Sequence, residues 1–330
     1  MTRDLHPLIV GSGGAARALR MAMAFYPEAL ATPRLHRRGE PLPEADPERS
    51  LLVLANPHAL HAPLLLEAAE RGYRWALCEK PAAVDFGQIG TLESVADRGL
   101  ECWICHGYRM LWGPQTLRSA WAEGRFGEVL SIEGRYWQAG AVRGPARPGW
   151  KDDPALGGPH DVLLDLGSHW TDLVIYLSGL APRHTQARRW YVNAASPHRD
   201  SQVHITIEHT SPRDGSMVSF GSVSKTVHGA GNQLEVHILG EAATASWSFA
   251  DPDIIVWGRG RERTTEARTA ADPPARLAPF HGMGWLEGYA SLVGDLVGHV
   301  VYGRPRRGPT LDEQIVVLRA LLGAVDTVDT

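Results

Sequence analysis

The feature that most constrains the fold is a glycine-rich turn directly after the first apolar run. Residues 7–10 are short and apolar, which is typical of a strand buried on both faces. Residues 11–16 form the glycine turn, and residues 17–25 have the pattern of a helix. A strand, a glycine turn and a helix in this order predict the first unit of a parallel α/β sheet.

The glycine turn has the spacing of a site for a dinucleotide pyrophosphate. Gly11 permits the tight turn, and Gly13 lets the backbone approach a phosphate at the helix N-terminus. Gly14 follows, and Ala16 occupies the third position of the G-x-G-x-x-G pattern, where alanine is tolerated. A glycine turn without a ligand is the alternative, and the position in the first β-α unit favours the nucleotide.

The segment after the first helix predicts which nucleotide is bound. Residues 30–38 should contain the second strand, which in NAD-type sites ends in an acidic residue that binds the ribose hydroxyls. His36, Arg37 and Arg38 occupy that place here. Cationic side chains suit the 2′-phosphate of NADP, and a basic surface turn is the alternative. Residues 39–47 are rich in proline, so we expect the second helix to be reduced or missing.

Two later strands deliver polar residues at their carboxyl ends, where open α/β sheets bind ligands. The first is the continuous apolar run of residues 50–55, and the second spans residues 73–78. The residues after these strands that we expect to contact the cofactor are Asn56, Pro57, His58, His61, Glu79 and Lys80.

A second chemical signal lies in residues 157–172. Read as a helix, this stretch places Asp165, His169 and Asp172 at i, i+4 and i+7, on one face, with an apolar stripe that can be buried. A carboxylate beside an imidazole suits proton transfer, because the carboxylate can orient the ring and raise its basicity. A solvated or core histidine is one alternative, and a metal site formed by the three residues is another.

Composition limits the remaining possibilities. A chain of 330 residues can bury a large core, and two domains are expected. The net charge of −4 gives no basic surface for nucleic acid, and no apolar run approaches the length of a membrane span. The N-terminus lacks a signal-peptide pattern and three cysteines make no disulfide framework, so we expect a cytoplasmic protein. Cys102 and Cys105 are expected to be buried and structural.

The second half of the chain contains strand-like runs that alternate in polarity, as in a sheet with one packed face. Residues 139–159 form a long loop before Asp165, which makes this loop a candidate substrate lid. Residues 259–271 are polar and predict a surface loop, and residues 310–313 form a capping box for a last helix. The predicted substrate-binding residues are Arg109, Trp137, Trp150, Lys151, Asp165 and His169.

These motifs together resemble the glucose–fructose oxidoreductase/inositol dehydrogenase family (Gfo/Idh/MocA). The marks are the glycine turn, the turn after residue 55, the tripeptide of residues 79–81 and residues 157–172. The resemblance implies an N-terminal Rossmann domain with a doubly wound parallel sheet, and a C-terminal α/β domain with a large open, mostly antiparallel sheet. We predict the dinucleotide-binding domain at residues 1–113 and the domain for substrate binding and oligomerisation at residues 114–330.

The resemblance also implies an activity, since family members mostly transfer a hydride between NAD(P) and a carbinol of a sugar or cyclitol. By matching position, Lys80 is the catalytic lysine, Asp165 the aspartate and His169 the acid/base. We expect NADP, or NAD, as cofactor, no metal, and a homodimer or homotetramer. The shortened segment before residue 50 and the missing ribose acid depart from the family pattern. The same chemistry on a non-sugar carbonyl or imine, or a non-catalytic nucleotide-binding sensor, stays open.

Overall fold

The chain groups into two units, each assembled from more than one stretch of sequence. The computed structural model describes residues 4–37, 39–142, 149–191, 199–210, 217–272 and 278–324. The first unit comprises Met1–Gly107, Asp153–Gly158 and Trp285–Leu318, and the second comprises Tyr108–Asp152, Pro159–Gly284 and Arg319–Thr330. This grouping differs from the predicted division after residue 113, because the chain returns to the first unit twice.

Helices and strands alternate in the first third of the chain, and strands dominate the middle. In chain order the helices are α1 (Gly14–Met23), α2 (His61–Glu70), α3 (Phe86–Asp97), α4 (Trp112–Ala122), α5 (Pro154–Gly157), α6 (Val162–Asp165), α7 (Gly167–Ser178), α8 (Trp285–Val300) and α9 (Leu311–Gly323). The strands are β1 (His6–Val10), β2 (Arg34–Leu35), β3 (Ser50–Leu54), β4 (Trp75–Cys78), β5 (Glu101–Ile104), β6 (Val129–Trp137), β7 (Pro182–Trp190), β8 (Gln202–His209), β9 (Met217–Ser224), β10 (Gln233–Gly240), β11 (Thr244–Ser248), β12 (Asp251–Arg259) and β13 (Glu262–Ala267). In the part of the chain that the structure describes, no helix is long and apolar enough to cross a membrane.

The first unit is built on a five-stranded parallel sheet with the strand order β2-β1-β3-β4-β5. Every residue of β4 is buried, as is all of β3 except its first residue, which explains why both sequences are continuously apolar. The chain moves outward from β1 to β2 on one side and from β3 to β5 on the other. The predicted doubly wound sheet is confirmed, and its topological switch point lies between β1 and β3.

α8 and the first part of α9 complete the first unit. α8 packs on α1, and the hydroxyl of Tyr26 donates a hydrogen bond of 2.8 Å to the carbonyl oxygen of Ala290. The predicted capping box begins α9, because the backbone N–H of Thr310 donates to Glu313 Oε2 at 2.8 Å and the Glu313 N–H returns a bond of 3.1 Å to Thr310 Oγ1.

The second β-α unit is reduced, as predicted. β2 has only two residues, and Leu35 at its end is exposed. Between β2 and β3 the described residues form turns and no helix. β2 is therefore the edge strand of the sheet.

The second unit is an eight-stranded sheet with the order β13-β12-β11-β10-β6-β9-β8-β7. Its pairs are antiparallel except for the parallel pair β6 and β9, which confirms the predicted large, mostly antiparallel sheet. α7 lies against β6 and β9, and Trp170 of α7 fits over two glycines of these strands. A Cβ at Gly134 or Gly221 would lie 2.6 Å and 2.0 Å from the Trp170 ring, so only glycine lets α7 approach this closely.

The predicted surface loop at residues 259–271 is wrong. Glu262–Ala267 is strand β13, which pairs with β12 at the edge of the sheet. Five of its six residues are exposed, so the strand has no apolar alternation to detect. Backbone pairing holds this edge strand, together with a hydrogen bond of 2.8 Å from the Trp257 indole N–H to Glu266 Oε2. Its polar side chains protect the open edge.

The predicted single helix over residues 157–172 is divided in the structure. α6 ends at Asp165, α7 begins at Gly167, and Leu166 lies at the break between them. The apolar stripe is buried as predicted, and it consists of Val162, Leu166, Leu173 and Leu177. Gly179 ends α7 in the left-handed conformation with φ of 67°.

The three cysteines are free and buried, as expected of a structural role. Burial raises the pKa of the Cys78 and Cys105 thiols well above the usual value. A buried thiol with a raised pKa is a poor nucleophile, so these side chains act as small apolar groups of the first sheet.

Candidate active site

The glycine turn of the first unit has the geometry of a phosphate-binding loop. Gly11 has φ of 125°, and a Cβ there would lie 2.2 Å from the carbonyl oxygen of Ala55, so no other residue fits. A Cβ at Gly13 or Gly14 would meet no atom within 4 Å. The N-terminus of α1 therefore opens onto free space at the switch point, where its N–H groups can hold a pyrophosphate. Ala16 is buried one turn further along α1.

Asn56 gives a second observation that fits a nucleotide at this edge of the sheet. It follows β3, and its buried Oδ1 accepts no hydrogen bond from the residues that the structure describes. A buried acceptor without a donor is costly, so a ligand that supplies an N–H or O–H there would be stabilised. The neighbouring His58 is also buried, and its ring centroid lies 5.9 Å from that of His61.

His61 joins the two turns that carry Asn56 and Lys80. Its ring lies between two carbonyl oxygens, with Nδ1 2.8 Å from Pro81 O and Nε2 3.0 Å from Asn56 O. Burial lowers the pKa of His61 to about 4, so the ring is neutral and donates to one of the two carbonyls. The side chain is fully buried, which favours a role in positioning Lys80 over the predicted contact with the cofactor.

The Glu79 side chain is fixed by a hydrogen bond from another part of the first unit. Its carboxylate is buried and accepts a hydrogen bond from the hydroxyl of Tyr289 on α8. No motif in the sequence points to Tyr289, because it lies about 200 residues away along the chain and meets Glu79 only through packing within the first unit. Lys80, the next residue, is half-buried at the end of the same segment.

The basic residues after β2 are only partly defined. The Arg37 side chain is 85% exposed, and its nearest carboxylate is that of Glu40, at 3.8 Å. His36 lies within 3.0 Å of the Glu40 carbonyl oxygen through Nε2. Arg38 lies outside the described residues. An exposed ion pair of this kind is weak, so Arg37 can exchange Glu40 for another anion at little cost.

In the second unit, Asp165 ends α6 and is surrounded by cations. Its Oδ2 lies 2.7 Å from Lys151 Nζ and 2.7 Å from Lys225 Nζ. Burial lowers the pKa of Lys225, but the nearby carboxylates of Asp165 and Asp161 more than offset this and raise the pKa above its usual value. Lys225 therefore stays charged, and the two ammonium groups stabilise the ionised form of Asp165.

His169 lies in the first turn of α7 between two buried tyrosines. Its ring centroid is 5.0 Å from that of Tyr108 and 5.8 Å from that of Tyr136, with both contacts edge-on. The two hydroxyls are 2.8 Å apart, and burial raises the pKa of Tyr108 to about 12. Both phenols are therefore neutral near pH 7. Sequence reasoning missed Tyr136, although strand alternation puts it on the packed face of β6.

The structure places Lys151, with Trp150 beside it, at Asp165 and directs Trp137 elsewhere. Lys151 reaches Asp165, and its ammonium lies 5.6 Å from the centre of the Trp150 ring. Trp137 follows Tyr136 and points to the opposite face of the sheet, where its indole N–H donates 3.2 Å to Ser222 Oγ. Arg143 and Arg147 of the predicted lid lie outside the described residues, so the lid stays a prediction.

Asp172 does not share an open polar face with Asp165 and His169. It forms a buried ion pair with Arg109, with Nη1 and Oδ1 3.1 Å apart and both side chains at most 4% exposed. The Arg109 guanidinium also lies over the Tyr176 ring, 5.0 Å from its centre. These contacts favour a structural role for Arg109 over the predicted contact with substrate. Across the described residues, no group of three or more His, Cys, Asp or Glu side chains is placed to hold a metal ion.

Comparison with known proteins identifies the type of domain that contains the large sheet. Residues 115–246 match the model of the GFO/IDH/MocA C-terminal domain. The resemblance found in the sequence is therefore confirmed, and the chain carries a C-terminal domain of this type.

Two curated dehydrogenases match shorter segments. Levoglucosan dehydrogenase of Pseudarthrobacter phenanthrenivorans is 27% identical over 135 residues, which cover 41% of this chain and 34% of that protein. Glucose-6-phosphate 3-dehydrogenase of Bacillus subtilis is 29% identical over 127 residues, which cover 38% of this chain and 36% of that protein. The matched segments thus span about a third of these relatives.

Solved structures match nearly the whole chain. An oxidoreductase domain protein from Kribbella flavida has a TM-score of 0.86 at 18% identity, covering 98% of this chain and 96% of that one. Levoglucosan dehydrogenase in complex with NADH and levoglucosan has a TM-score of 0.83 at 20% identity, covering 98% of each chain. An inositol dehydrogenase homologue from Azotobacter vinelandii, with NADH and myo-inositol, has a TM-score of 0.82 at 16% identity, covering 98% and 96%. These likenesses confirm the α/β fold.

Proposed function

We propose that the protein is an NAD(P)-dependent oxidoreductase that interconverts a carbinol and a ketone of a sugar, a cyclitol or a related small molecule. The observation that carries this proposal is that Asp165, held by two ammonium groups, and the buried His169 lie four residues apart at the junction of α6 and α7 in a GFO/IDH/MocA-type domain. The open glycine turn and the unpaired Asn56 oxygen support a nicotinamide nucleotide on the first unit. The activities named for the matched relatives agree with this class of reaction.

Each proposed catalytic residue has one task. His169 removes the hydroxyl proton when the carbinol is oxidised and returns a proton when the ketone is reduced. Asp165 orients the imidazole or a substrate hydroxyl. Lys80 donates a hydrogen bond to the reacting oxygen and stabilises the negative charge that develops on it, an assignment that rests on the family resemblance. The nicotinamide cofactor, when bound, supplies the hydride chemistry.

A substrate panel tests this function directly. The purified protein is incubated with NAD or NADP and with levoglucosan, glucose 6-phosphate, myo-inositol and other sugars and cyclitols. Absorbance of the reduced nicotinamide reports turnover, and calorimetry reports nucleotide binding. Turnover on a member of the panel supports the enzyme. Tight nucleotide binding without turnover on any carbinol would instead indicate a sensor of the same fold.

The cofactor preference is expected to be NADP, with a small margin. Arg37 is exposed at the end of β2, where it can reach a 2′-phosphate. Because an exposed ion pair contributes only about 0–1 kcal/mol, we expect NADP to bind up to about fivefold more tightly than NAD. An Arg37→Ala/Arg38→Ala double variant should bind both cofactors equally, as measured by titration calorimetry.

The control for this titration is Arg98→Ala, which removes one exposed arginine after α3 and should leave the ratio of affinities unchanged. Tighter binding of NAD than NADP by the wild type would refute the NADP assignment. A double variant that keeps the wild-type preference for NADP over NAD would show that these two arginines do not bind the 2′-phosphate.

We expect a homodimer or homotetramer that assembles through the face of the eight-stranded sheet opposite α7. This face carries aromatic side chains, among them Phe220, which is 47% exposed, and Trp190, whose ring packs 4.6 Å from that of His204. Aromatic residues are enriched in protein interfaces. Light scattering at micromolar concentration should give a multiple of the chain mass, and Phe220→Asp should shift it toward the monomer. A monomeric wild type would contradict this expectation.

A further inference from the structure

Asp161 and Asp165 stand one helical turn apart at the two ends of α6, and both face Lys225. The Lys225 ammonium lies 2.5 Å from Asp161 Oδ1 and 2.7 Å from Asp165 Oδ2. Its side chain is only 9% exposed. Lys225 therefore sits between two carboxylates of the same helix turn, in a place that water hardly reaches.

Two carboxylates at i and i+4 repel each other, and the repulsion grows when both are removed from water. The ammonium between them offsets this repulsion by pairing with both. Without it, the two acids would interact directly, and a shared proton would become favourable near neutral pH.

The backbone holds each partner of this cluster in place. The Lys225 N–H donates to Ser201 O at 3.2 Å, and its carbonyl accepts from the Ala141 N–H at 2.9 Å. The Asp161 N–H donates to the carboxylate of Asp200 at 2.8 Å. The ammonium is therefore directed at the carboxylates by a fixed backbone and does not reach them by chance.

Lys151 contacts the same oxygen of Asp165 at the same distance of 2.7 Å, but its side chain is 44% exposed. Solvent screens an exposed charge much more than a buried one. Of the two lysines, Lys225 therefore has the larger influence on Asp165. The other titratable or charged groups near the cluster within the second unit are Tyr108 and Tyr136, on which the Asp165 charge acts, Arg199, whose Nη2 lies 3.7 Å from Asp161 Oδ1, and Asp200, which accepts the Asp161 N–H.

We propose that Lys225 is a positioning residue for the reaction, which keeps Asp165 ionised and fixed in place while Asp161 balances the charge of the lysine. Its effect on the reaction rests on the proposed function, because that function gives Asp165 its task. The effect of Lys225 on the Asp165 carboxylate does not rest on the proposed function, and this effect can be measured without any substrate.

The experiment follows the pH titration of the Asp165 carboxyl by carbon NMR of protein labelled at aspartate, with the Asp165→Asn variant for assignment. Removing a cation raises the proton affinity of a carboxylate, so Lys225→Met should move the titration upward by about 1–3 pH units. Lys225→Arg should keep it near the wild-type position. Lys151→Met, at the matched distance, should move it less than Lys225→Met does.

Asp161→Asn separates the charge effect from a general disturbance, because it removes a like charge and should leave the Asp165 titration unmoved or lower it. The proposal is overturned if Lys225→Met titrates as wild type, or if Lys151→Met shifts Asp165 as much. If Lys225→Met does not fold, Lys225→Met/Asp161→Asn removes the buried pair together, and Asp165 should still titrate above wild type.

Activity gives the second readout. With an active substrate, the acid limb of the profile of kcat/KM against pH should move to higher pH in Lys225→Met. In Lys225→Arg the acid limb should lie near its wild-type position. A shifted carboxyl titration in a protein that turns over no carbinol would retain Lys225 as the residue that ionises Asp165 and would reject the proposed function alone. An unshifted Asp165 titration in an enzyme that turns over a carbinol would reject the role of Lys225 and retain the proposed function.

Discussion

Replacing His169 by alanine is expected to lower turnover by at least about 10²-fold, which is the low end for a positioned acid–base group. The imidazole is held between Tyr108 and Tyr136, and both tyrosines contact its ring edge-on. Lys80→Ala should lower turnover to a similar extent, because the reacting oxygen loses its charged hydrogen-bond donor. Steady-state turnover of both variants on an active member of the substrate panel measures the loss.

The matched control for His169→Ala is His204→Ala, which makes the same change at an exposed histidine of the same unit. This control should keep wild-type turnover. Both catalytic variants should still bind the nucleotide, because the glycine turn stays intact in each and Lys80 is only one of the predicted cofactor contacts. Near-wild-type turnover of His169→Ala and Lys80→Ala would reject the mechanism, and loss of nucleotide binding would show that the fold was damaged instead.

The parts of the fold that the sequence predicts are those set by local patterns. The glycine turn is one example, because only glycine tolerates the φ of Gly11 and the contact with Ala55. The capping box of Thr310 and Glu313 is another, since its two hydrogen bonds join residues three apart. Such patterns act over a few residues, so they can be read without knowing the tertiary structure.

Residues that act through long-range packing were not predictable in the same way. Lys225 is about 60 residues from Asp165 along the chain, and no local sequence pattern predicts their contact. Tyr289 reaches Glu79 only because α8 returns to the first unit. β13 was missed for a different reason, since a polar edge strand lacks the alternation that identifies a half-buried strand.

Arg109→Met is expected to lower the free energy of unfolding by about 3–5 kcal/mol, the cost of leaving a buried charge without its partner. The ion pair with Asp172 is almost fully buried, so water cannot replace the missing guanidinium. Asp172 would have to take up a proton or draw water into the packing around α7. Urea unfolding followed by circular dichroism measures the change.

The double variant Arg109→Met/Asp172→Leu distinguishes this structural role from the predicted contact with substrate. Removing both charges together leaves neither one buried alone, so most of the lost stability should return. A structural Arg109 therefore predicts strong destabilisation in the single variant and recovery in the double variant. A substrate contact predicts a raised KM with wild-type stability in Arg109→Met, because the free protein would lose no internal interaction. That second result would return Arg109 to the substrate site and contradict the role that its contacts favour.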